Sequence, residues 1–300
     1  MPEEKLREAL WAATERLRAA GSETARLDAE VLLAHALGAD RTAVLAHPEA
    51  PLGPAQGALF QESVARRERG EPVAYIRGIK EFYGLALSVD PRALIPRPET
   101  ELLVDLGVSR AAATLTGRRW DGARGPLRVV DLGTGCGAVA IAFLATLRRR
   151  GYSAVLDVLA TDTSAEAVAL ARENAAAHGL ADAIRFQVAD LLPADEAPFD
   201  LVLANLPYIP SDEIDDLPVA VSFEPRAALD GGPDGLAVLG PLLAQLDERT
   251  SELAVALLEI GPHLRSGIER LAGEALPAWR LAFSDDLAGQ LRVAELTRVA

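Results

Sequence analysis

From residue 127 onward, short apolar runs alternate with stretches of helical period. The runs fall at 127–132, 154–161, 184–189, 199–204 and 254–260, with weaker ones at 279–283 and 291–297. Helical patterns occupy 138–150, 164–178, 236–248 and 263–275 between them. Alternation of this kind leaves few folds open, because parallel strands need crossover connections and those connections are helices. It predicts an α/β architecture with a doubly wound, mostly parallel sheet. Such sheets bind ligands outside the carboxyl ends of their strands, so those ends are where chemistry is sought.

Two strand ends stand out. Val129-Val130-Asp131-Leu132 runs into Gly133-Thr134-Gly135-Cys136-Gly137, and a helical pattern follows through Ile141, Leu144 and Leu147. Glycines let the backbone turn tightly and approach a ligand, and the helix behind them offers free N–H groups. The spacing is G-x-G-x-G after an acid, which favours S-adenosylmethionine over a dinucleotide, and the Gly-Lys-Ser/Thr ending of a P-loop is missing. The second strand end is Phe199–Ala204, which stops at Asn205-Leu206-Pro207-Tyr208. Pro207 cannot donate to a ladder and disfavours helix at Leu206, so an amide, a rigid turn and an aromatic ring are delivered together.

Asp162 ends the second strand, where a carboxylate can accept both hydroxyls of a ribose. Thr163 and Glu166 form a plausible capping box for the next helix, which would leave Asp162 free for that role. Cys136 lies within the glycine turn without a histidine partner and reads as a small structural residue.

These stretches together resemble the HemK/PrmC family, the release-factor glutamine methyltransferases. The likeness spans nearly the whole chain: RLDAEVLLAHALG (26–38), RRERGEPVAYIRGIKEFYGL (66–85), LIPRPETELLVD (94–105), VVDLGTGCGAVAIA (129–142), ATDTSAEAVALARENA (160–175), FDLVLANLPYI (199–209), FEPRAALDGGPDGL (223–236) and LLEIG (257–261). The resemblance implies a class I, S-adenosylmethionine-dependent Rossmann-like sheet. It implies methyl transfer to the side-chain amide of a glutamine, above all that of the Gly-Gly-Gln loop of peptide chain release factors. It places the cofactor at Gly133, Thr134, Gly135, Cys136, Gly137, Asp162, Asp190, Leu191 and Asn205, with Asp190 and Leu191 bordering the adenine. Catalysis and substrate binding fall to Asn205, Leu206, Pro207 and Tyr208, with Arg97 and Glu99 positioning the substrate. The family's usual Asn-Pro-Pro-Tyr carries Leu206 in place of the first proline. Leucine keeps the main-chain carbonyl but does not fix φ, so the turn is expected to lose pre-organisation.

Two other substrates fit the same motif, a glutamine of a ribosomal protein and an adenine or guanine of a nucleic acid. A net charge of −14 argues against the second, since proteins that track phosphate backbones usually carry a basic stripe. The basic clusters Arg66-Arg67-Glu68-Arg69 and Arg148-Arg149-Arg150 read as solvated helix faces.

Residues 1–70 read as a helical domain. Leu6, Leu10, Ala13 and Leu17 share one face, Leu27, Val31, Ala34 and Leu37 another, and a third helix runs from about Pro54 to Arg69. The resemblance implies that this domain recognises substrate. Residues 71–94 suit a β-hairpin linker with runs at Val73–Ile76 and Leu85–Val89, and 95–300 form the methyltransferase domain. Thr100 is placed to cap the helix that follows. Residues 117–126 read as a loop. One cysteine, scattered histidines, an acidic N-terminus and no long apolar run predict a cytoplasmic protein without disulfide, metal site or membrane span. It is expected to be a monomer with no stable nucleic-acid partner.

Overall fold

A computed structural model describes residues 4–117, 125–152 and 155–299. Most of the loop expected at 117–126 lies outside the described residues. The chain divides into two compact units. One takes the N-terminal residues through Ile79 together with Pro218–Phe223, and the other takes Lys80–Leu217 with Glu224–Ala300.

The first unit is helical: α1 (Leu6–Ala19), α2 (Ala25–Leu37), α3 (Arg41–Ala46), α4 (Pro54–Glu68) and α5 (Val73–Arg77). Leu6, Leu10, Ala13 and Leu17 of α1 are all buried in its core, as their period predicts. In α2 the buried set is Ala25, Ala29, Leu32, Leu33, Ala34 and Ala36, while Leu27 is 45% exposed. That corrects the expected face. Apolar residues run most of the way round this helix, so their period alone does not choose a side. The Arg66–Arg69 cluster is also less solvated than its composition suggests. Arg67 is only 17% exposed and donates to the buried Asp28 of α2 at 2.7 Å, while Arg66 pairs with Glu71. Val73–Ile76 is not a strand but part of α5, which Pro72 opens and Gly78 closes in the left-handed region.

The second unit starts with a hairpin of β1 (Ile79–Phe82) and β2 (Leu85–Ser88), turning at Tyr83-Gly84. A hairpin therefore forms within 71–94, but its first strand lies C-terminal to α5 and not at Val73–Ile76. A short 3-10 turn at Pro98–Thr100 then leads into α6 (Glu101–Thr116). Next come β3 (Leu127–Leu132), α7 (Ala138–Arg149), β4 (Leu156–Asp162), α8 (Ala165–Ala177), β5 (Ile184–Val188) and β6 (Phe199–Ala204). The chain finishes with α9 (Leu239–Arg249), β7 (Thr250–Glu259), α10 (Arg265–Ala275), β8 (Trp279–Asp285) and β9 (Leu291–Arg298).

The strands make one seven-stranded sheet in the order β5-β4-β3-β6-β7-β9-β8, parallel from β5 to β7, with β9 antiparallel to both of its neighbours. Val130, Leu132, Val202, Ala204, Ala256 and Leu258 point to the side covered by Leu239, Leu242, Leu243 and Leu246 of α9 and Ile268 of α10. Leu203 faces the other way, close against Gly107 of α6 and near Phe143 of α7. A sheet covered on both faces needs strands that are apolar throughout, which is why β3 and β6 read as continuous apolar runs.

Register then sets the site. Leu132 of β3 pairs with Thr161 of β4 on one side and with Ala204 of β6 on the other. Gly133, Asp162 and Asn205 therefore leave three adjacent strands at the same level. The chain moves from β3 outward to β5 in one direction and from β6 to β7 in the other, so this level is also the switch point of the sheet.

Candidate active site

The carboxyl ends of β3, β4 and β6 border a cavity of about 370 Å³. Among the residues lining it are Gly133, Thr134, Gly135, Cys136, Asp162, Asp190, Leu191, Asn205, Leu206, Pro207 and Arg97. Most of the expected site is thus brought together. Gly137, Tyr208 and Glu99 do not line the cavity, and Glu99 is exposed.

The glycine turn is built on a buried acid. Asp131 Oδ2 accepts from the Thr134 hydroxyl at 2.7 Å and from the Ala140 N–H at 3.1 Å, at the first turn of α7. Burial raises its carboxyl to about 7, with the Asp162 charge adding to the rise against the pull of those two donors. Thr134 N–H donates to Thr161 O of β4 at 2.8 Å, which ties the turn to the neighbouring strand. Gly133 sits at φ 65°, and a Cβ there would lie 2.9 Å from Leu206 Cδ2. Only glycine allows both the left-handed turn and this close packing of the two motifs.

Asp162 is not free. Its Oδ2 accepts from Gly135 N–H at 3.0 Å and its Oδ1 from Ser164 N–H at 2.9 Å. Ser164, not Thr163, caps α8, with its hydroxyl accepting from Ala167 N–H, so the Thr163–Glu166 box is not formed. A carboxylate has about four acceptor positions, so each Asp162 oxygen keeps capacity for a further donor such as a ribose hydroxyl. Leu191 holds φ 54°, an uncommon conformation for leucine that fixes it, buried, at the cavity beside the exposed Asp190. Burial pushes the Cys136 thiol up to about 12, which fits packing and not nucleophilic attack.

The Asn205–Tyr208 turn is held by its neighbours. Ile209 N–H donates to Leu229 O, Gly231 N–H to Ile209 O and Ser211 N–H to Gly232 O, at 2.8–3.0 Å. A Cβ on Gly231 would lie 2.7 Å from Tyr208 Cα, so this strap presses directly on the turn. These bonds fix the residues just after Pro207, and Leu206 is itself buried. Tyr208 is partly buried against the core, and its phenol is pushed up to about 12 by burial and by the nearby Glu259 charge.

Besides Asp131, four contributors were not assigned from the sequence. Glu224 is buried and takes Ile95 N–H at 3.0 Å and the Arg97 guanidinium. Asn174 Nδ2 donates to Ser88 O and to Cys136 O, both at 2.9 Å, fastening the glycine turn to β2. Thr100 does not cap α6; its hydroxyl oxygen accepts from Asn205 Nδ2 at 3.1 Å. Glu259 ends β7 beside this pair. Asn174, Glu224 and Glu259 fall inside motifs that were visible, but polarity in a motif does not say which atom it will meet.

Residues 8–78 match the family described as PrmC N-terminal domain, and residues 129–218 match the methyltransferase domain family. A release factor glutamine methyltransferase of Rhodopirellula baltica is 35% identical over 290 residues, covering 95% of this chain and 93% of that one. One from Deinococcus radiodurans is 36% identical over 295 residues, covering 98% and 99%. The chain belongs to the release factor glutamine methyltransferase family. Its sheet is the class I methyltransferase fold. At the level of fold alone, it is similar to the catalytic domain of hMettl16 solved with an RNA hairpin, with a TM-score of 0.53 and 15% identity over 81% of this chain and 80% of that one. No helix among the described residues of this family member is long and apolar enough to cross a membrane.

Proposed function

We propose that this protein transfers a methyl group from S-adenosylmethionine to the side-chain amide nitrogen of the glutamine in the Gly-Gly-Gln loop of peptide chain release factors, in the cytoplasm. Supporting this is the meeting of Gly133, Asp162 and Asn205 at one level of the sheet, in a chain related along nearly its full length to enzymes named for that activity.

The cavity fits the cofactor. Gly133 is exposed at the cavity with no side chain in the way, Asp162 retains acceptor capacity for a ribose, and Leu191 offers an apolar surface for a base. When bound, S-adenosylmethionine supplies an electrophilic methyl on a sulfonium. The protein's share is orientation. An amide nitrogen is a poor nucleophile because its lone pair is delocalised into the carbonyl, and no side chain deprotonates it usefully at neutral pH. Asn205 Oδ1 and the Leu206 main-chain oxygen accept its two N–H groups, hold it in place and favour pyramidal nitrogen. The partly buried Tyr208 backs this turn, and Arg97, held by Glu224, borders the cavity. The helical first unit recognises the intact protein substrate.

The test supplies methyl-labelled S-adenosylmethionine with separate pools of release factor, ribosomal protein and RNA, and locates the label by mass spectrometry. Label on the release-factor glutamine is expected. Label on ribosomal protein or RNA alone overturns the reading.

A further inference from the structure

We propose that Gly231, Gly235 and Gly261 are positioning residues which seat Tyr208, and through it set where the Asn205–Tyr208 turn stands for methyl transfer. The inference rests on the glutamine reading above, because it concerns how that turn meets the substrate amide.

The turn is held from two ends. Before it, Ala204 of β6 is in register with Leu132 of β3 and Leu258 of β7. After it, Ile209 bridges in parallel to Asp230, its N–H donating to Leu229 O and its carbonyl accepting from Gly231 N–H. Asp230 Oδ1 in turn accepts from the Ser211 hydroxyl at 2.6 Å and from Gly232 N–H at 3.0 Å, which ties the strap to the chain beyond the turn. Between the two anchors Pro207 has a fixed φ and no N–H to give. A displacement at Tyr208 therefore passes along a stiff link to Leu206 and Asn205.

Three glycines surround Tyr208. A Cβ on Gly231 would lie 2.7 Å from Tyr208 Cα and 2.8 Å from its carbonyl carbon. A Cβ on Gly235 would run into the Tyr208 carbonyl oxygen and lie 2.9 Å from Leu264 Cδ2. Gly235 also holds φ 72°, in the left-handed region. These two press on main chain, which has no rotamer to escape into. The third glycine makes room for the ring. Gly261 follows β7 by two residues, and a Cβ there would lie 3.4 Å from Tyr208 Cε2 and 2.5 Å from His263 Cε1. Neither Gly261 nor any of residues 229–237 lines the cavity that fits the cofactor. The seat thus reaches that cavity only through the turn.

The test compares Gly231→Ala, Gly235→Ala, Gly261→Ala and Gly261→Val with the wild type. Gly107→Ala is the control, since its Cβ would crowd Leu203 and Phe143 and not Tyr208. Each folded variant is measured for kcat and KM on a release factor, and by calorimetry for its affinity for S-adenosylhomocysteine, the demethylated cofactor. Gly231→Ala and Gly235→Ala should lower kcat about 10- to 100-fold, the range for a reacting group misplaced by up to about 1 Å. S-adenosylhomocysteine affinity should change far less. Gly261→Val, whose branched side chain overlaps the ring, should lose kcat in the same way. Gly261→Ala should fall between it and the wild type, because the exposed His263 turns aside. Gly107→Ala should lower the melting temperature and keep its kcat. Should a strap variant fail to fold, the two Gly261 variants carry the test. Wild-type kcat in Gly261→Val and in the folded strap variants overturns the proposal, and so does an affinity loss as large as the loss of kcat. If the wild type labels a ribosomal protein and not a release factor, the same series on that protein tests the seat, and only the release-factor reading falls.

Discussion

Arg97 donates to Glu224 across a separation of more than a hundred residues, joining the segment before α6 to the strap that follows the Asn205–Tyr208 turn. The pairing is asymmetric: Arg97 is about a third exposed, whereas Glu224 is almost wholly buried and holds Ile95 N–H with its other oxygen. Removing the arginine leaves a buried carboxylate short of a donor. Arg97→Ala should therefore destabilise the protein by about 1–3 kcal/mol. Denaturant unfolding measures this, and a midpoint equal to the wild type's would show that Glu224 is satisfied by other means.

Asp162→Ala should weaken S-adenosylmethionine binding by about 1.5–3 kcal/mol, the worth of hydrogen bonds to a charged group. It should also lower the melting temperature, because the same carboxylate receives Gly135 and Ser164 N–H. Calorimetry and a thermal melt together separate the two effects. Unchanged affinity in a less stable variant would leave Asp162 a purely structural residue.

In the proposed clamp, Asn205→Ala removes the acceptor outright and leaves a substrate N–H unpaired. A cost of about 1–3 kcal/mol corresponds to a fall in turnover of roughly 10- to 150-fold. Cofactor affinity should change much less. Single-turnover methyl transfer at saturating cofactor is the measurement, and a wild-type rate would rule out the amide clamp.

Leu206 tests how the two motifs meet. From sequence, replacing it with proline looks harmless, since proline keeps the carbonyl and stiffens the turn. In the structure its side chain packs on Gly133 and joins the core beneath the sheet ends. Leu206→Ala should cost about 2–5 kcal/mol. Leu206→Pro retains part of the apolar contact and should fall between alanine and the wild type in a melting series; a melting point above the wild type's would mean that turn stiffness outweighs the lost packing.

Asp131 gives stability a pH dependence whose sign can be worked out. Its carboxyl is raised in the folded state to about 7, from about 3.9 when unfolded. The folded protein thus favours the protonated form. This contribution is fully present below about pH 4 and is lost as pH rises through about 7. Asp131→Asn should flatten the decline over that window while keeping one acceptor for Thr134 or Ala140. Identical slopes for the two proteins would place the pH dependence elsewhere, with the similarly raised Glu259 as the next group to replace.

The sheet was legible because its strands are buried on both faces and its helices are not, so period and apolar runs carried the information. β7 nevertheless begins at Thr250, ahead of the apolar run at 254, because Thr250 pairs with Phe199 and the register then shifts before Val255, leaving the exposed Glu252 outside the ladder. The helix α3 has only six residues and a single buried side chain, Val44, too little for a period to register. In the site, the glycines, Asp162 and Asn205 could be named because their chemistry is local to a strand end. Asp131, Thr100, Glu224 and Glu259 could not, since each acts through a partner set by tertiary structure: Asp131 on Ala140 in the next helix, Glu224 on Ile95 and Arg97 far back in the chain.

Pro218–Phe223 packs with the helical unit although the residues before and after it belong to the sheet unit, and Val219 closes on Gly70. No single breakpoint in the gene therefore separates one unit from the other. A crossover near residue 79 would hand a recipient five helices without the six residues that pack with them, and would take Gly70 away from Val219. Replacing the helical unit requires two coordinated exchanges, so, on the recognition role proposed above, specificity is expected to change by substitution within the helices and not by wholesale shuffling.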